Sequence, residues 1–351
     1  MNQFPYITIS GEPFERGKQH GELLGAKIAE TIDFYRSIFE LSETEILQHA
    51  AFFRTIIDDF DPVYGEEIDG IAQGAGVDPL WIVALNARTE ILSRNAGASN
   101  ECTSVYFSET SILGQNWDWG KALEPLTVLM KIVQPDGHSI LMITEPGMIG
   151  KIGMNSAGLG VCLNILTLGK VLDGLPVHII LRAILNCKSL AQVNSLLTRH
   201  GAGKASNIMV ADAGGNGFDM EFCAENSYRI EPASDYLLHT NHYLDEVINS
   251  AQDPDFFSSY ARFNKATQIL SDNKERSITA MCDLLSDESD GCLAIYREYM
   301  PDDSVQELGT ICTIVMELAQ QKMHIRKGKG PEATFIEYRM EAPVIDQRLL
   351  R

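Results

Sequence analysis

The sequence predicts an α+β chain in which two antiparallel sheets lie against each other with helices packed outside them. Three observations predict it: helical periodicity up to about residue 92, an abrupt switch to short β-rich segments after residue 101, and clear turns joining those segments as hairpins.

The helices come first. From Pro13 to Phe39, Glu43 to Asp59 and Tyr64 to Gly74, apolar residues recur at spacings of three and four, as on a helix with one buried face. Asp78-Pro79 supplies an N-cap and a first-turn proline, and apolar positions continue through Leu92. Asn95 to Asn100 holds only Asn, Ala, Gly and Ser and reads as an exposed loop that runs directly into Cys102.

The β-rich segments are Thr103 to Phe107, Ile112 to Trp117, Thr127 to Gln134, Ser139 to Glu145, Ile152 to Asn155 and Gly160 to Leu166. Asp136-Gly137 and Asn155-Ser156-Ala157-Gly158 supply turns between them, so neighbours pair as hairpins. Two helices follow, Pro176 to Asn186 and Leu190 to His200. Strands return at Asn207 to Asp212, Gly217 to Phe222 and Tyr228 to Glu231, then helices at Ser258 to Leu270 and Ile278 to Leu285. The last strands lie near Thr310 to Leu318, Lys322 to Arg326 and Thr334 to Tyr338. With no repeat, low-complexity tract or linker, one domain that changes character near residue 101 fits best.

The 351 residues are 45% hydrophobic and 22% charged, an ordinary globular composition. Against 48 acidic residues stand 28 Lys and Arg, and the net charge of -20 disfavours nucleic acid and anionic membrane surfaces as partners. No run reaches the ~18 apolar residues of a membrane span, and Met1 to Tyr6 lacks a signal-peptide pattern, so a cytoplasmic location is expected. Seven scattered cysteines without a CxxC argue against a disulfide framework and against a zinc site.

Cys102 differs from the other six cysteines because it stands where the small-residue loop meets a strand. The strand would hold its side chain while leaving the bond before it accessible, as intramolecular attack on the Glu101 carbonyl requires. Cleavage there would leave Cys102 with an α-amine of pKa ~7.7–8.0, suited to act as base for its own thiol. A packing role for a cysteine in front of a strand is the competing reading. His239 and His242, at i and i+3, are compatible with a metal or with a papain-like pairing to Cys102, but no acidic or Cys partner has suggestive spacing. No metal and no cofactor is therefore expected.

Several segments together resemble the acyl-coenzyme A:isopenicillin N acyltransferase family of N-terminal-nucleophile hydrolases. They are Arg16 to Gly21, Ala84 to Glu90, Cys102-Thr103-Ser104, Gly114 to Trp119, Ile149 to Gly160 and His239-Thr240-Asn241-His242, in family order along almost the whole chain. The resemblance implies a four-layer αββα sandwich, the Ntn-hydrolase fold, and cleavage between Glu101 and Cys102. Residues 1–101 would become a small chain that stays associated with a catalytic chain of residues 102–351. It further implies hydrolysis or transfer of an acyl group through a Cys102 thioester, Asn241 as an oxyanion-hole donor, and Asp118 at the active-site wall, orienting the α-amine or receiving a cationic part of the substrate. The partners expected are a small amide or acyl compound and the sister chain, and a homo-oligomer is compatible with these.

Arg16, Gln19 and His20 read as a packed helix face, and Gly150 to Gly160 as a structural turn. Two positions depart from the penicillin-forming branch of the family: Glu101 replaces a glycine, and Gln306-Glu307 replaces a Ser-Arg pair. The second change removes a cation, so penicillin synthesis and confident use of acyl-coenzyme A are not expected. Hydrolysis of a small amide ranks first, acyl transfer second, and an unprocessed binding homologue is the rival from another class.

Overall fold

The computed structural model describes residues 3–92, 102–166, 174–223, 226–232, 234–244, 257–329 and 333–341. The chain opens with β1 (Tyr6–Ser10), followed by α1 (Pro13–Ile38), α2 (Glu43–Phe60), α3 (Pro62–Ala75), α4 (Pro79–Asn86) and α5 (Arg88–Leu92). After Cys102 come β2 (Thr103–Phe107), β3 (Ile112–Gly120), β4 (Val128–Val133), β5 (Ser139–Thr144), β6 (Gly153–Asn155) and β7 (Leu159–Ile165). Helices α6 (Val177–Asn186) and α7 (Leu190–Arg199) lead to β8 (Ser206–Asp212), β9 (Gly217–Phe222), β10 (Ser227–Ile230) and β11 (Tyr236–His239). Then follow α8 (Phe257–Asp272), α9 (Ile278–Leu284), β12 (Met300–Asp302), β13 (Gln306–Glu317), β14 (Lys322–Lys327) and β15 (Ile336–Arg339).

The strands form two sheets, one in the order β1-β4-β5-β6-β7-β8-β9-β10, the other β11-β2-β3-β13-β14-β15 with β12 on β13. Strand β7 of the first sheet faces β2 and β3 of the second. Helices α1, α6 and α7 cover the outside of the first sheet, and α8 and α9 the outside of the second. The result is the αββα sandwich. Its main apolar core runs from Ile7, Ile28 and Ile68 through Leu141 and Val161 to Ile314, and a second cluster, including Val105, Leu270, Met281 and Val315, glues α8 and α9 to their sheet.

The strands and helices named from the sequence are present, with shifted ends. Ser42 and Glu45 form a capping box on α2, and Asp78 accepts from the Leu80 N–H at 2.8 Å as the N-cap of α4. Strands β1, β11 and β12 were not foreseen. β1 pairs parallel to β4, so that sheet is not purely antiparallel as expected. The apolar run through Leu92 is also two helices rather than one. The Asn86 amide donates to the Ile82 and Gly147 carbonyls and accepts from the Ile149 N–H, so the side chain competes with its own helix for backbone groups. The break at Ala87 turns Arg88 inward.

Backbones approach closely where α1 crosses α3. A Cβ on Gly17 would sit 2.1 Å from the Glu67 carbonyl oxygen, and one on Gly70 2.1 Å from that of Phe14. Glycine is required at both positions. Beneath the crossing, buried Glu67 takes Arg16 Nε at 2.6 Å and both terminal nitrogens of Arg182 at 2.9 Å. This triad joins α1, α3 and α6. As read from the sequence, Gln19 and His20 are structural: Gln19 bonds both backbone groups of Ser10 in β1, and His20 Nε2 accepts from the Gly147 N–H.

Removing the Glu67 charge leaves two buried guanidinium groups uncompensated. The Glu67→Gln variant is expected to lose about 3–5 kcal/mol of unfolding free energy, read as a lower midpoint in guanidinium chloride.

Candidate active site

Cys102 directly precedes β2, the strand that lies between the edge strand β11 and β3 in the second sheet. The residue is only 6% exposed, and its carbonyl oxygen is held from two sides. Arg262 Nη1, from α8, donates to it at 2.7 Å and to Thr103 Oγ1 at 3.0 Å, while Asn164 Nδ2, from β7 of the opposite sheet, donates at 3.1 Å. Asn164 is fixed in turn by the Ser104 hydroxyl at 2.7 Å. Opposite Ser104 in the ladder, the Gln115 side chain bonds both backbone groups of Leu163 across the gap between the sheets. Polar side chains therefore lock β2 and β3 onto β7 where the thiol sits.

The second nitrogen of the guanidinium, Arg262 Nη2, donates to Asn241 Oδ1 at 3.0 Å, and Asn241 Nδ2 donates to the Ile165 carbonyl at 2.9 Å. Asn241, Arg262, Asn164 and the Cys102 backbone thus form one connected set. The thiol lies 4.0 Å from the Asp118 carbonyl oxygen and opens on a cleft of about 370 Å³, its mouth included, between Trp117, Asp118, Lys151 and Leu163.

Asp118 is 2% exposed, and neither carboxylate oxygen makes a well-formed hydrogen bond among the described residues. Burial pushes its pKa up to about 7, against the pull of the Arg262 charge and the Thr310 hydroxyl. Burial, with the nearby Asp118 charge, likewise pushes the Cys102 thiol up to about 11, although Arg262 and Lys151 favour the thiolate. With a peptide bond at its nitrogen, Cys102 is a weak nucleophile at neutral pH.

The model of the family described as acyl-coenzyme A:6-aminopenicillanic acid acyl-transferase matches residues 107–331. A relative from Emericella nidulans, the 40 kDa form of acyl-coenzyme A:6-aminopenicillanic-acid-acyltransferase, is 32% identical over 345 residues, covering 94% of this chain and 95% of its own. The chain belongs to this acyl-transferase family. Among solved structures, a penicillin V acylase from Agrobacterium tumefaciens is similar at TM-score 0.47 and 14% identity, covering 67% of this chain and 86% of that one. A conjugated bile acid hydrolase from Clostridium perfringens is similar at TM-score 0.47 and 11% identity, covering 70% and 94%.

In this chain Cys102 and Asp118 line one cleft and Asn241 is joined to them through Arg262, whereas Glu101 and the loop before it lie outside the described residues. The histidine alternatives do not hold. His239 Nε2 is bonded to Glu221 at 2.7 Å, and His242 Nδ1 to Ser259 Oγ at 2.8 Å, so the rings serve separate partners and neither is bonded to Cys102. Neither Asp118 carboxylate oxygen is bonded to the backbone of its hairpin among the described residues. Glu307, one of the two departures from the penicillin-forming pattern, forms an exposed ion pair with Lys121 at 2.9 Å.

Sequence reading missed Asn164 and Arg262. Asn164 carried a usable signal, as a lone amide within the apolar run Val161 to Leu166; Arg262 carried none, being one more basic residue on a helix. It also left Arg88 and Lys151 without a role, although both line the cleft. The rest of Gly150 to Gly160 is structural as read: Asn155 Oδ1 accepts from the Ala157 and Leu159 N–H groups, and Gly158 turns the chain at φ +81.

No helix among the described residues is long and apolar enough to cross a membrane.

The raised pKa of Asp118 gives a signed prediction. The folded chain holds this proton more tightly than the unfolded chain, so the stability it contributes is present at acid pH and is lost as pH rises through about 7. In a Cys102→Ala background, adding Asp118→Asn is expected to raise Tm increasingly from about pH 5 to pH 8, and to change it little near about pH 4.

Proposed function

We propose that this protein is a self-processing N-terminal cysteine amidohydrolase that cleaves a small amide or N-acyl amino compound through a Cys102 thioester. The observation that carries this reading is the buried Asp118 carboxylate, its oxygens without a well-formed hydrogen bond among the described residues, beside a thiol whose pKa burial raises. With a pKa near 7, Asp118 is matched to take the thiol proton in the first step. Sulfur then bonds to the Glu101 carbonyl carbon, the C–N bond breaks, and the departing nitrogen of Cys102 takes a proton. Water hydrolyses the resulting thioester and leaves Glu101 as a carboxylate.

Afterwards the new α-amine serves as the thiol's base, and as an ammonium it adds a second positive charge beside Asp118, which Arg262 already faces. Residues 1–101 and 102–351 are then the two chains of the mature enzyme. In turnover, the substrate carbonyl takes the place of that of Glu101. Asn241, oriented by Arg262, is the side-chain donor available to the oxyanion. The acyltransferase name of the 32% identical relative favours a second outcome for the same acyl-enzyme, capture by an amine in place of water.

Intact-mass analysis tests the processing step. Wild type is expected as two fragments that meet at residue 101, and Cys102→Ala as one full-length species. Full-length protein in both would assign the chain to unprocessed binding homologues. In the processed enzyme Asn241→Ala is expected to lower kcat by about 10²–10³-fold. Adding amines to the assay, and asking whether an acylated amine replaces free acid, distinguishes transfer from hydrolysis.

A further inference from the structure

We infer that Glu221 and His239 are positioning residues for Asn241: by holding the turn on both sides of that residue, the buried carboxylate fixes the side-chain amide offered to the oxyanion. The inference deepens the amidohydrolase reading and rests on it for the reaction, though not for the geometry.

The turn that carries Asn241 leaves β11 of the second sheet and is tied to β9 of the first by a single carboxylate oxygen. Glu221 Oε1 bonds His239 Nε2 at 2.7 Å, before Asn241, and accepts from the Leu244 N–H at 2.7 Å, after it. Between these ties the Tyr243 hydroxyl donates to the Phe222 carbonyl at 2.8 Å. From the other side, α8 supplies Ser259, whose hydroxyl accepts from the Asn241 N–H at 2.7 Å and whose carbonyl accepts from the Thr240 hydroxyl at 3.1 Å. Asn241 uses one amide hydrogen on the carbonyl of Ile165, a residue of the cleft wall, so its second hydrogen is the one left for an oxyanion. A displacement of about 1 Å at such a donor can cost about 10²-fold in rate.

His239 and Glu221 are fully buried, and both ring nitrogens face acceptors: Nδ1 the Thr240 carbonyl at 2.9 Å, Nε2 the carboxylate. A neutral ring has one N–H and satisfies only one of them, so an imidazolium fits the site. Asp219, also on β9, adds a second carboxylate. Its Oδ1 accepts from Asn207 Nδ2 at 2.8 Å, while its Oδ2 has no hydrogen bond among the described residues.

Burial works against a charged ring, but the Glu221 hydrogen bond and the charges of Asp219 and Glu221 outweigh it, and the His239 pKa ends above the ordinary histidine value. Burial and the charges of His239 and of Arg262, on α8, push the pKa of His242 down to about 3, so that ring stays neutral. Cys162 of β7, beside Asp219, and Tyr243, near Glu221, are both shifted upward by burial and stay uncharged at neutral pH. Apolar packing would hold the turn against the sheet as firmly as an ion pair does. The pair adds direction, because both ring protons and the Leu244 N–H are aimed at fixed acceptors.

Nitrogen-15 NMR of full-length Cys102→Ala reads the network without turnover. At pH 7 the His239 ring is expected as an imidazolium with two hydrogen-bonded N–H protons. Adding Glu221→Gln is expected to speed solvent exchange of the Asn241 side-chain amide by about tenfold or more. A neutral His239 ring at pH 7, or Asn241 exchange unchanged by Glu221→Gln, overturns the inference.

In the processed enzyme, hexanoyl p-nitroanilide serves as the probe in a double-mutant cycle. Glu221→Gln is expected to lower kcat by about tenfold with KM within about twofold, and to lower kcat by less than about twofold in an Asn241→Ala background. No loss of kcat, or an equal loss in both backgrounds, overturns the inference. Where Glu221→Gln does not fold, His239→Gln, which keeps a donor for Glu221 without the charge, takes its place in both experiments. Failure of wild type to mature or to cleave the probe sinks the amidohydrolase reading for this amide, and the NMR result alone then decides the positioning role.

Discussion

The site depends on one buried guanidinium, that of Arg262. It is fully enclosed, reaching the Cys102 carbonyl and Thr103 with one nitrogen and Asn241 with another, and Asp118 is its electrostatic counterweight. A planar fork with five donors can hold three elements in a fixed relation, as a lysine ammonium on a flexible stem cannot. The start of β2, the turn after β11 and the helix α8 are brought into register by that fork. Because Asn164 approaches the same carbonyl from the other sheet, the position of Cys102 is set by the packing of the whole sandwich.

That rigidity comes with an electrostatic arrangement that disfavours charge on both groups. A thiol pushed up to about 11 and a carboxylate up to about 7 both lie in an interior that penalises charge. Neither shift helps folding at neutral pH. Perturbed ionisable groups side by side in a cleft point to chemistry, and a positive charge at the Cys102 nitrogen would lower both pKa values. The contrast with Glu67 is direct: its carboxylate is equally buried, yet two guanidinium groups hold its pKa low.

Much of this architecture was legible in the sequence, because its layers are built from local signals. Capping residues, threefold and fourfold spacing and glycine turns placed α2, β5, β7 and the start of α4 within a few residues. β1 was not legible, since five residues gain strand character only by pairing with β4, more than a hundred residues away. The break after Asn86 was hidden for a similar reason: the Asn86 amide leaves its helix for Gly147 and Ile149, which no local pattern reports. Of the site, Cys102, Asp118 and Asn241 stood in recognisable segments, while Arg262 acquires its meaning only from what α8 packs against. Arg88 and Lys151 lay inside recognised segments, but a sequence does not reveal that both cations share one carboxylate.

The placement of residues 3–92 bears on what cleavage would do. β1 is an edge strand of the first sheet, hydrogen-bonded to β4, and α1 packs over it. Arg16 and Glu67 from this segment meet Arg182 from the other side of Cys102, and Tyr35 completes the shell around Glu145. The apolar core runs through both portions without a seam, from Ile28, Tyr35 and Ile82 to Leu141 and Ile180. Under the proposed processing, losing one peptide bond therefore exposes no new apolar surface, whereas separating the chains would uncover the core and strand a buried glutamate and several buried cations. Residues 3–92 would thus not be a detachable propeptide. This segment supplies Arg88 to one wall of the cleft and, through Tyr35, fixes the carboxylate that Arg88 shares with Lys151, so the segments on both sides of Cys102 build the site.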